Sequence, residues 1–319
     1  MEHPDNHVIV TENLTKSFKE TVAVDSLDLS VEQGEIFGLV GPDGAGKTTT
    51  IRMLTAIMLP TRGRATVLGH DTITGAEAIK KDIGYMAQRF NLYRDLTVLE
   101  NLEFFADVFE VTGAQRQERI SRLLEFAQLS GFKNRRAEHL SGGMQKKLAL
   151  ACTLVHEPQI LFLDEPTTGV DPVSRREFWE ILTDLHLQGK TIFVSTPYMD
   201  EAERCSRVGL LYRGRLIVCD TPERIRGMLE GELIEVRTPN LKRAREAVTH
   251  LDGVLEVQTY GDLLHVFVDD AGRRMPQIAD TLGEAGIAVQ GIRTTRPRME
   301  EAFISLIRKQ EEWGVKRET

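Results

Sequence analysis

Short apolar runs separated by polar turns dominate the first part of this chain. Val8-Ile9-Val10, the segment 14–18 and the alternating Leu27, Leu29 and Val31 carry the period of two of β-strands, and Gly34 turns the chain after them. Ile36-Phe37-Gly38-Leu39-Val40 has no charged or polar interruption, as in a strand buried on both faces. From Thr48 to about Met58 the period becomes helical through Ile51, Leu54 and Met58, and Pro60 ends it. Residues 63–69 read as a strand and turn, and 83–88 as a strand ending in a lone polar Gln88.

Residues 91–139 change character and predict a helical insertion. Thr97-Val98-Leu99-Glu100 has capping-box spacing, and Val98, Leu102, Phe105 and Phe109 follow at helical intervals. A second helix is expected over 114–129, with Ile120, Leu123, Leu124 and Ala127 on its apolar face. Phe104, Phe105, Phe109 and Phe126 are expected in the core of this insertion, which also offers an apolar groove to a partner helix. Ser141 then caps a third helix bearing Leu148, Ala151, Cys152 and Val155, so that the helical subdomain covers about 91–156. Ile160-Leu161-Phe162-Leu163 and Thr191-Ile192-Phe193-Val194-Ser195 are two more buried strands, with a helix through Phe178, Ile181, Leu182 and Leu185 between them. Residues 208–212 and 216–218 read as a hairpin. Past Gly231 the order is strand 233–237, helix 241–251, strand 254–260, strand 263–268, helix 273–285 and strand 288–294, followed by a last helix and a charged tail. That β-α-β-β-α-β order is the one of a ferredoxin-like unit. Two domains follow, 1–230 and 231–319.

Three places along this pattern carry chemistry. Gly41-Pro42-Asp43-Gly44-Ala45-Gly46-Lys47-Thr48 lies between a buried strand and a helix start. Its glycines let successive backbone N–H groups point inward, the helix adds the positive end of its dipole, Lys47 reaches β- and γ-phosphates, and the Thr48 hydroxyl holds magnesium. Asp164-Glu165 ends a buried run, where ligands bind in open α/β sheets. There Asp164 suits a magnesium site through water, and Glu165 suits orienting or deprotonating an attacking water. Ser141-Gly142-Gly143 is a second anion-binding helix start, which makes sense if it grips a nucleotide held by another subunit. Gln88 is either a strand-end amide bonded to backbone or a carbonyl for the magnesium or the water. Phe18 is either core or a flat surface for a purine.

Taken in order, GPDGAGKT, Gln88, LSGGM, ILFLDE and Asp171 resemble the Walker A, Q-loop, signature, Walker B and D-loop pieces of the ATPase subunits of ATP-binding cassette (ABC) transporters, over residues 8–228. The resemblance implies a P-loop NTPase α/β fold with a mostly parallel sheet, an antiparallel β subdomain and a helical insertion. The C-terminal unit is similar to those of drug- and antibiotic-export ATPases. It also implies Mg-ATP held by Gly41 through Thr48 and Thr49, with Thr48, Gln88 and Asp164 on the metal, Glu165 and Gln88 at the water, and Phe18 on adenine. It further implies a head-to-tail dimer in which Ser141, Gly142, Gly143 and Asp171 complete the partner cassette's site, and a membrane permease docked on the insertion. A mixed pair of cassettes is expected, with a homodimer as the alternative. One position departs: where the family carries a histidine facing the γ-phosphate, this chain has Pro197.

Composition trims the alternatives. The net charge of −8 disfavours nucleic acid as the main partner, since neutralising phosphates needs a basic surface. A cassette acting on ribosomes would carry a second cassette or a long coiled coil, and neither pattern is present. A regulatory module that binds ATP with little hydrolysis stays open through Pro197. Three scattered cysteines have no metal-ligand spacing and fit a reducing compartment, with Cys152 and Cys219 expected as core thiols. No apolar run approaches about 18 residues, and the polar start 1–7 is unlike a signal peptide. The expected location is the cytoplasmic face of a membrane, reached through the permease.

Overall fold

Three runs in which every residue is buried, Ile36–Val40, Ile160–Asp164 and Thr191–Thr196, form the centre of one sheet in the computed structural model, which describes residues 6–89 and 92–318. The expected polar start therefore lies outside the described residues up to position 5, as do positions 90 and 91 at the head of the helical insertion. The chain divides into two compact units, 1–222 and 223–319.

The first unit runs β1 (His7–Phe18), β2 (Thr21–Glu32), β3 (Ile36–Val40), α1 (Lys47–Leu54), β4 (Arg62–Val67), β5 (His70–Asp71), α2 (Ala76–Asp82), β6 (Ile83–Met86), α3 (Val98–Val108), α4 (Gly113–Phe126), α5 (Gly142–Leu154), β7 (Ile160–Asp164), α6 (Pro172–Leu187), β8 (Thr191–Thr196), α7 (Met199–Ala202), β9 (Arg207–Tyr212) and β10 (Arg215–Asp220). Its main sheet has the order β10-β9-β3-β8-β7-β6, parallel except for the β9–β10 hairpin at one edge. A parallel sheet needs cover on both faces, which is why its strands are uninterrupted apolar runs. Within it Phe193 stacks on Phe37 with ring centroids 5.3 Å apart and lies tilted against Phe162 at 5.5 Å. The second sheet, β2-β1-β4-β5, is antiparallel.

Several elements differ from their expected bounds for local reasons. The runs at 8–10 and 14–18 are one strand, with a register shift between Thr11 and Leu14 around the left-handed Asn13. Helix α1 stops at Leu54 rather than Met58. Thr55 Oγ1 donates to the Ile51 carbonyl and Ala56 turns left-handed, so the chain leaves the helix before Pro60 acts. The strand expected to reach Gln88 ends at Met86, and α4 covers 113–126 rather than 114–129. Phe104, Phe105, Phe109 and Phe126 are half-buried, not core: the interior of the insertion is filled by Val98, Leu102, Ala106, Ile120, Leu123 and Leu124. Phe109 instead stacks on His156 and Phe104 leans on Tyr93. The Thr97 capping box is present, with Glu100 N donating to Thr97 Oγ1 at 3.2 Å and Thr97 N to Glu100 Oε2 at 2.7 Å. Cys152 is buried as expected, but Cys219 is half-buried.

After α8 (Pro222–Gly227), the second unit continues β11 (Glu232–Arg237), α9 (Leu241–Val248), β12 (Val254–Tyr260), β13 (Leu263–Val268), α10 (Ala271–Glu284), β14 (Gly291–Thr295) and α11 (Met299–Glu318). Its antiparallel sheet has the order β12-β13-β11-β14. Alternation along these strands sends Ile234, Val236, Val257, Leu264 and Val266 into one core with Ala244 and Val248 of α9 and Ile278 and Leu282 of α10. Among the described residues no helix is long and apolar enough to cross a membrane.

Candidate functional site

The ends of β3, β7 and β8 lie side by side because the parallel register sets Asp164 against Ser195 and Val40 against Thr196. The phosphate loop starts where β3 ends, and Gly41 N donates to Thr196 O at 3.3 Å. Gly46 has φ +108, and a Cβ there would sit 2.4 Å from Ala23 O. Only glycine therefore lets β2 pack directly on the loop. That packing sets the β1–β2 hairpin, and Phe18 near its turn, beside the loop. Phe18 is 45 % exposed with the Lys16 ammonium 5.3 Å from its ring centroid, so the reading of Phe18 as core does not hold.

Five of the expected side chains form two bonded groups joined by Ser195. Lys47 is 4 % exposed; its ammonium donates to Gly41 O at 2.8 Å and Pro42 O at 3.0 Å, and lies 3.1 Å from Glu165 Oε1. Gln88 Nε2 donates to Glu165 Oε2 at 2.8 Å, so its amide partner is the carboxylate and not backbone. Thr48 Oγ1 donates to Asp164 Oδ1 at 3.0 Å, and Ser195 Oγ donates to the same oxygen at 2.7 Å. Asp164 Oδ2 is buried without a hydrogen-bond partner. Burial pushes the Asp164 carboxyl above its ordinary range, opposed by the hydroxyl bonds from Ser195 and Thr48. Glu165 itself sits at φ +47, a left-handed conformation unusual for a side-chain-bearing residue. Ser195 holds it there, accepting Glu165 N on both its carbonyl oxygen and its hydroxyl at 3.1 Å.

Oxygen donors of this kind fit magnesium. The ion takes one or two protein oxygens and completes its shell with phosphates and water. An orphaned carboxylate oxygen on the residue that the Thr48 hydroxyl bonds is such a half-built shell, and Gln88 is bonded to the adjacent Glu165. Among the described residues no group of three or more His, Cys, Asp or Glu side chains forms a metal cage by itself.

Of the other expected residues, Gly41, Ala45 and Gly143 are buried and Gly46 is half-buried. Asp43, Gly44, Ser141, Gly142 and Asp171 are exposed, and Pro42 and Thr49 are half-buried. Ser141 Oγ caps α5 by accepting Met144 N at 3.3 Å, and Asp171 Oδ1 caps α6 by accepting Val173 N and Ser174 N. The two signature glycines differ in role. A Cβ on Gly142 meets nothing within 4 Å, whereas on Gly143 it would strike Ser174 Oγ at 2.4 Å, so Gly143 lets α5 pack against α6. Gln88, Gly142, Gln145, Thr168 and Val170 line one cavity of about 300 Å³. Across it Lys146 Nζ donates to Gln88 O at 3.2 Å.

Pro197 is half-buried at the end of β8 and brings no ring nitrogen or N–H to the cluster. Thr196 does not replace it: its hydroxyl proton goes to Glu201 Oε2 at 2.6 Å. His156 is engaged elsewhere, with Nε2 2.9 Å from Ile83 O. Sequence reasoning missed Ser195, Lys146, Thr168, whose hydroxyl donates to Glu165 Oε2 at 3.3 Å, and Glu201. A polar residue closing a buried run was the available signal for Ser195; Lys146 and Glu201 carry no local signal.

Comparison with known proteins agrees with this geometry. A profile of the family described as ABC transporter matches residues 24–168. The chain is 44 % identical over 247 residues to a probable multidrug ABC transporter ATP-binding protein, YbhF, of Escherichia coli strain K12, a match covering 77 % of this chain but 42 % of that relative. It is 35 % identical over 307 residues to the daunorubicin resistance ATP-binding protein DrrA2 of Streptomyces coeruleorubidus, covering 95 % of each. Among solved structures it is similar to a dimeric ATP-binding cassette in a post-hydrolysis state bound to ADP and Pi, with TM-score 0.62, 29 % identity, and coverage of 67 % of this chain and 98 % of that one.

Proposed function

This chain belongs to the family of ABC transporter ATP-binding proteins, and on that premise we propose that it binds and hydrolyses ATP for an exporter whose membrane-spanning permease is a separate chain. The observation that carries the reading is the cluster at the mouth of the phosphate loop in which Lys47 and Gln88 bond Glu165, Thr48 bonds Asp164, and Ser195 joins the two acids. Lys47 and the backbone N–H groups of residues 41–48 bind the triphosphate, and Phe18 stacks on the base. Thr48, Asp164 and Gln88 hold magnesium, which when bound neutralises charge on the phosphates. Glu165, with Gln88 at its other oxygen, orients the attacking water and takes its proton. Lys47 is bonded to carbonyls and Glu165 in this structure, so phosphate replaces existing partners of the ammonium rather than water.

Two cassettes closing head to tail complete each other's sites through Ser141, Gly142 and Asp171, all exposed and so free to reach a partner. Pro197 makes the pair asymmetric. Losing one charged hydrogen bond to the transferring phosphoryl group costs about 3 to 4 kcal/mol of barrier, or two to three decades in rate. The chain's own site is therefore slow, while its signature completes a competent site on a different cassette. The permease docks on the helical insertion at the cytoplasmic face of the membrane. The same substitution favours a second reading, a regulatory module that binds ATP and turns it over negligibly.

The test is purification of the tagged chain from detergent-solubilised membranes. A polytopic membrane protein and a second cassette in stoichiometric amount are expected; RNA or ribosomal proteins in their place would overturn the transport reading.

A further inference from the structure

Glu201, on the four-residue α7, is 1 % exposed and belongs to none of the phosphate, metal or signature contacts above. Its two carboxylate oxygens are divided between two loops. Oε1 accepts the Thr167 hydroxyl at 2.7 Å, and Oε2 accepts the Thr196 hydroxyl at 2.6 Å. Arg175 Nε of α6 lies 3.6 Å from Oε1 and supplies the countercharge. The Arg175 guanidinium also covers the Tyr198 ring at 4.9 Å and pairs with Asp200. Thr167 stands two residues after Glu165, and Thr196 immediately precedes Pro197. Thr196 further accepts Tyr198 N on its hydroxyl at 3.1 Å and Gly41 N on its carbonyl.

A buried carboxylate is a costly way to fill space, since desolvating the charge works against folding and an apolar side chain would fill the same volume. What the carboxylate adds is a rigid two-oxygen spacer of fixed geometry, with both hydroxyls committed as donors. We propose that Glu201 is a positioning residue that sets the spacing between the loop carrying Glu165 and the end of β8 that faces the transferring phosphoryl group, and that Arg175 ties this spacing to α6, whose first residue follows Asp171. The inference rests on the reading of Glu165 as the hydrolytic carboxylate. Position 197 carries no donor, so the Ser195 hydroxyl and the backbone at the end of β8 shape this side of the site, and Glu201 holds that end through Thr196.

The experiment uses the full chain with Glu201→Gln, Glu201→Ala and Thr196→Val. It reads ATP affinity by titration, kcat and KM, and amide hydrogen exchange. Thr196→Val and Glu201→Ala should speed exchange about tenfold at the amides of Glu165, Thr167, Thr168, residue 196 and Tyr198 while leaving 36–40 unchanged, and should lower kcat about tenfold with KM and ATP affinity within about twofold. Glu201→Gln, which keeps an acceptor and the shape, should recover most of kcat. Unchanged exchange at both loops, or faster exchange with unchanged kcat, would overturn the positioning role. So would a uniform rise in exchange along the chain, which marks a merely structural residue. If Glu201→Ala does not fold, Thr196→Val and Glu201→Gln carry the test. Absence of any turnover in the wild-type chain and in its assembled complex would instead count against the hydrolytic function, and the exchange measurement would still decide the clamp.

Discussion

Lys47 Nζ lies 3.1 Å from Glu165 Oε1 with both side chains almost excluded from solvent, so the residue proposed to meet the phosphate and the one proposed to meet the water neutralise each other. A buried pair of this kind is strongly destabilising to break from one side, typically by about 3 to 5 kcal/mol, because the remaining charge stays buried alone. On the proposed function, nucleotide binding escapes that penalty by giving Lys47 a phosphate and leaving Glu165 to Gln88 and Thr168.

Lys47→Ala should weaken Mg-ATP binding by roughly one to two decades, the size of about 1.5 to 3 kcal/mol of charge-assisted bonding. Calorimetric titration checks it. Equal affinity in the two proteins would move the nucleotide away from this loop.

Asp164→Asn should raise the thermal stability of the nucleotide-free chain at neutral pH and remove the additional stabilisation by magnesium. The sign follows from the raised carboxyl: a folded-state pKa above the unfolded value gives stability that is present below about 3.8 and lost as pH rises through the folded value. At pH 7 the ionised Asp164, with Oδ2 unpartnered, is therefore a liability that asparagine removes. The stability gap between the two proteins should narrow as pH falls toward the carboxylate range. Differential scanning calorimetry with and without magnesium reads both effects.

In the C-terminal unit the Arg274 guanidinium grips Asp269 with two bonds of 2.7 Å and lowers its carboxyl to about 2. Here the sign is opposite: the stabilisation is complete above 3.8 and disappears as pH falls toward about 2. NMR titration of the Asp269 carboxyl should show that low midpoint, and Arg274→Ala should return it toward the ordinary value.

Much of this site was legible in the sequence because its parts are local. A Gly-rich turn between a buried run and a helical period, and two acids closing another buried run, specify the loop and the carboxylates without knowledge of the sheet. Spacing along the chain also revealed the proline at 197. The bonds that hold the parts together were not legible, because they join residues far apart in sequence: Thr48 to Asp164, Gln88 to Glu165, Thr167 and Thr196 to Glu201. Asn101 is similar. It lies on the buried face of α3 with Val98, Leu102 and Ala106 and satisfies Tyr93, Leu96 and Thr97 backbone atoms of the preceding loop. The phenylalanines of the insertion misled for the opposite reason. Helical spacing says which residues share a face, but which face is covered depends on the neighbouring helices, and α4 and α5 cover the Leu102 and Ala106 side rather than the Phe105 side.

The most direct measurement of the central claim is single-turnover hydrolysis of ATP by the purified chain, compared with Glu165→Gln and Pro197→His under saturating magnesium and nucleotide. The wild type should bind ATP and cleave it slowly. Glu165→Gln should bind ATP and cleave none, and Pro197→His should gain about two to three decades in rate over the wild type. Fast cleavage by the wild type that Pro197→His does not increase, or cleavage that survives Glu165→Gln, would contradict an ATPase site built on Glu165 and slowed at position 197.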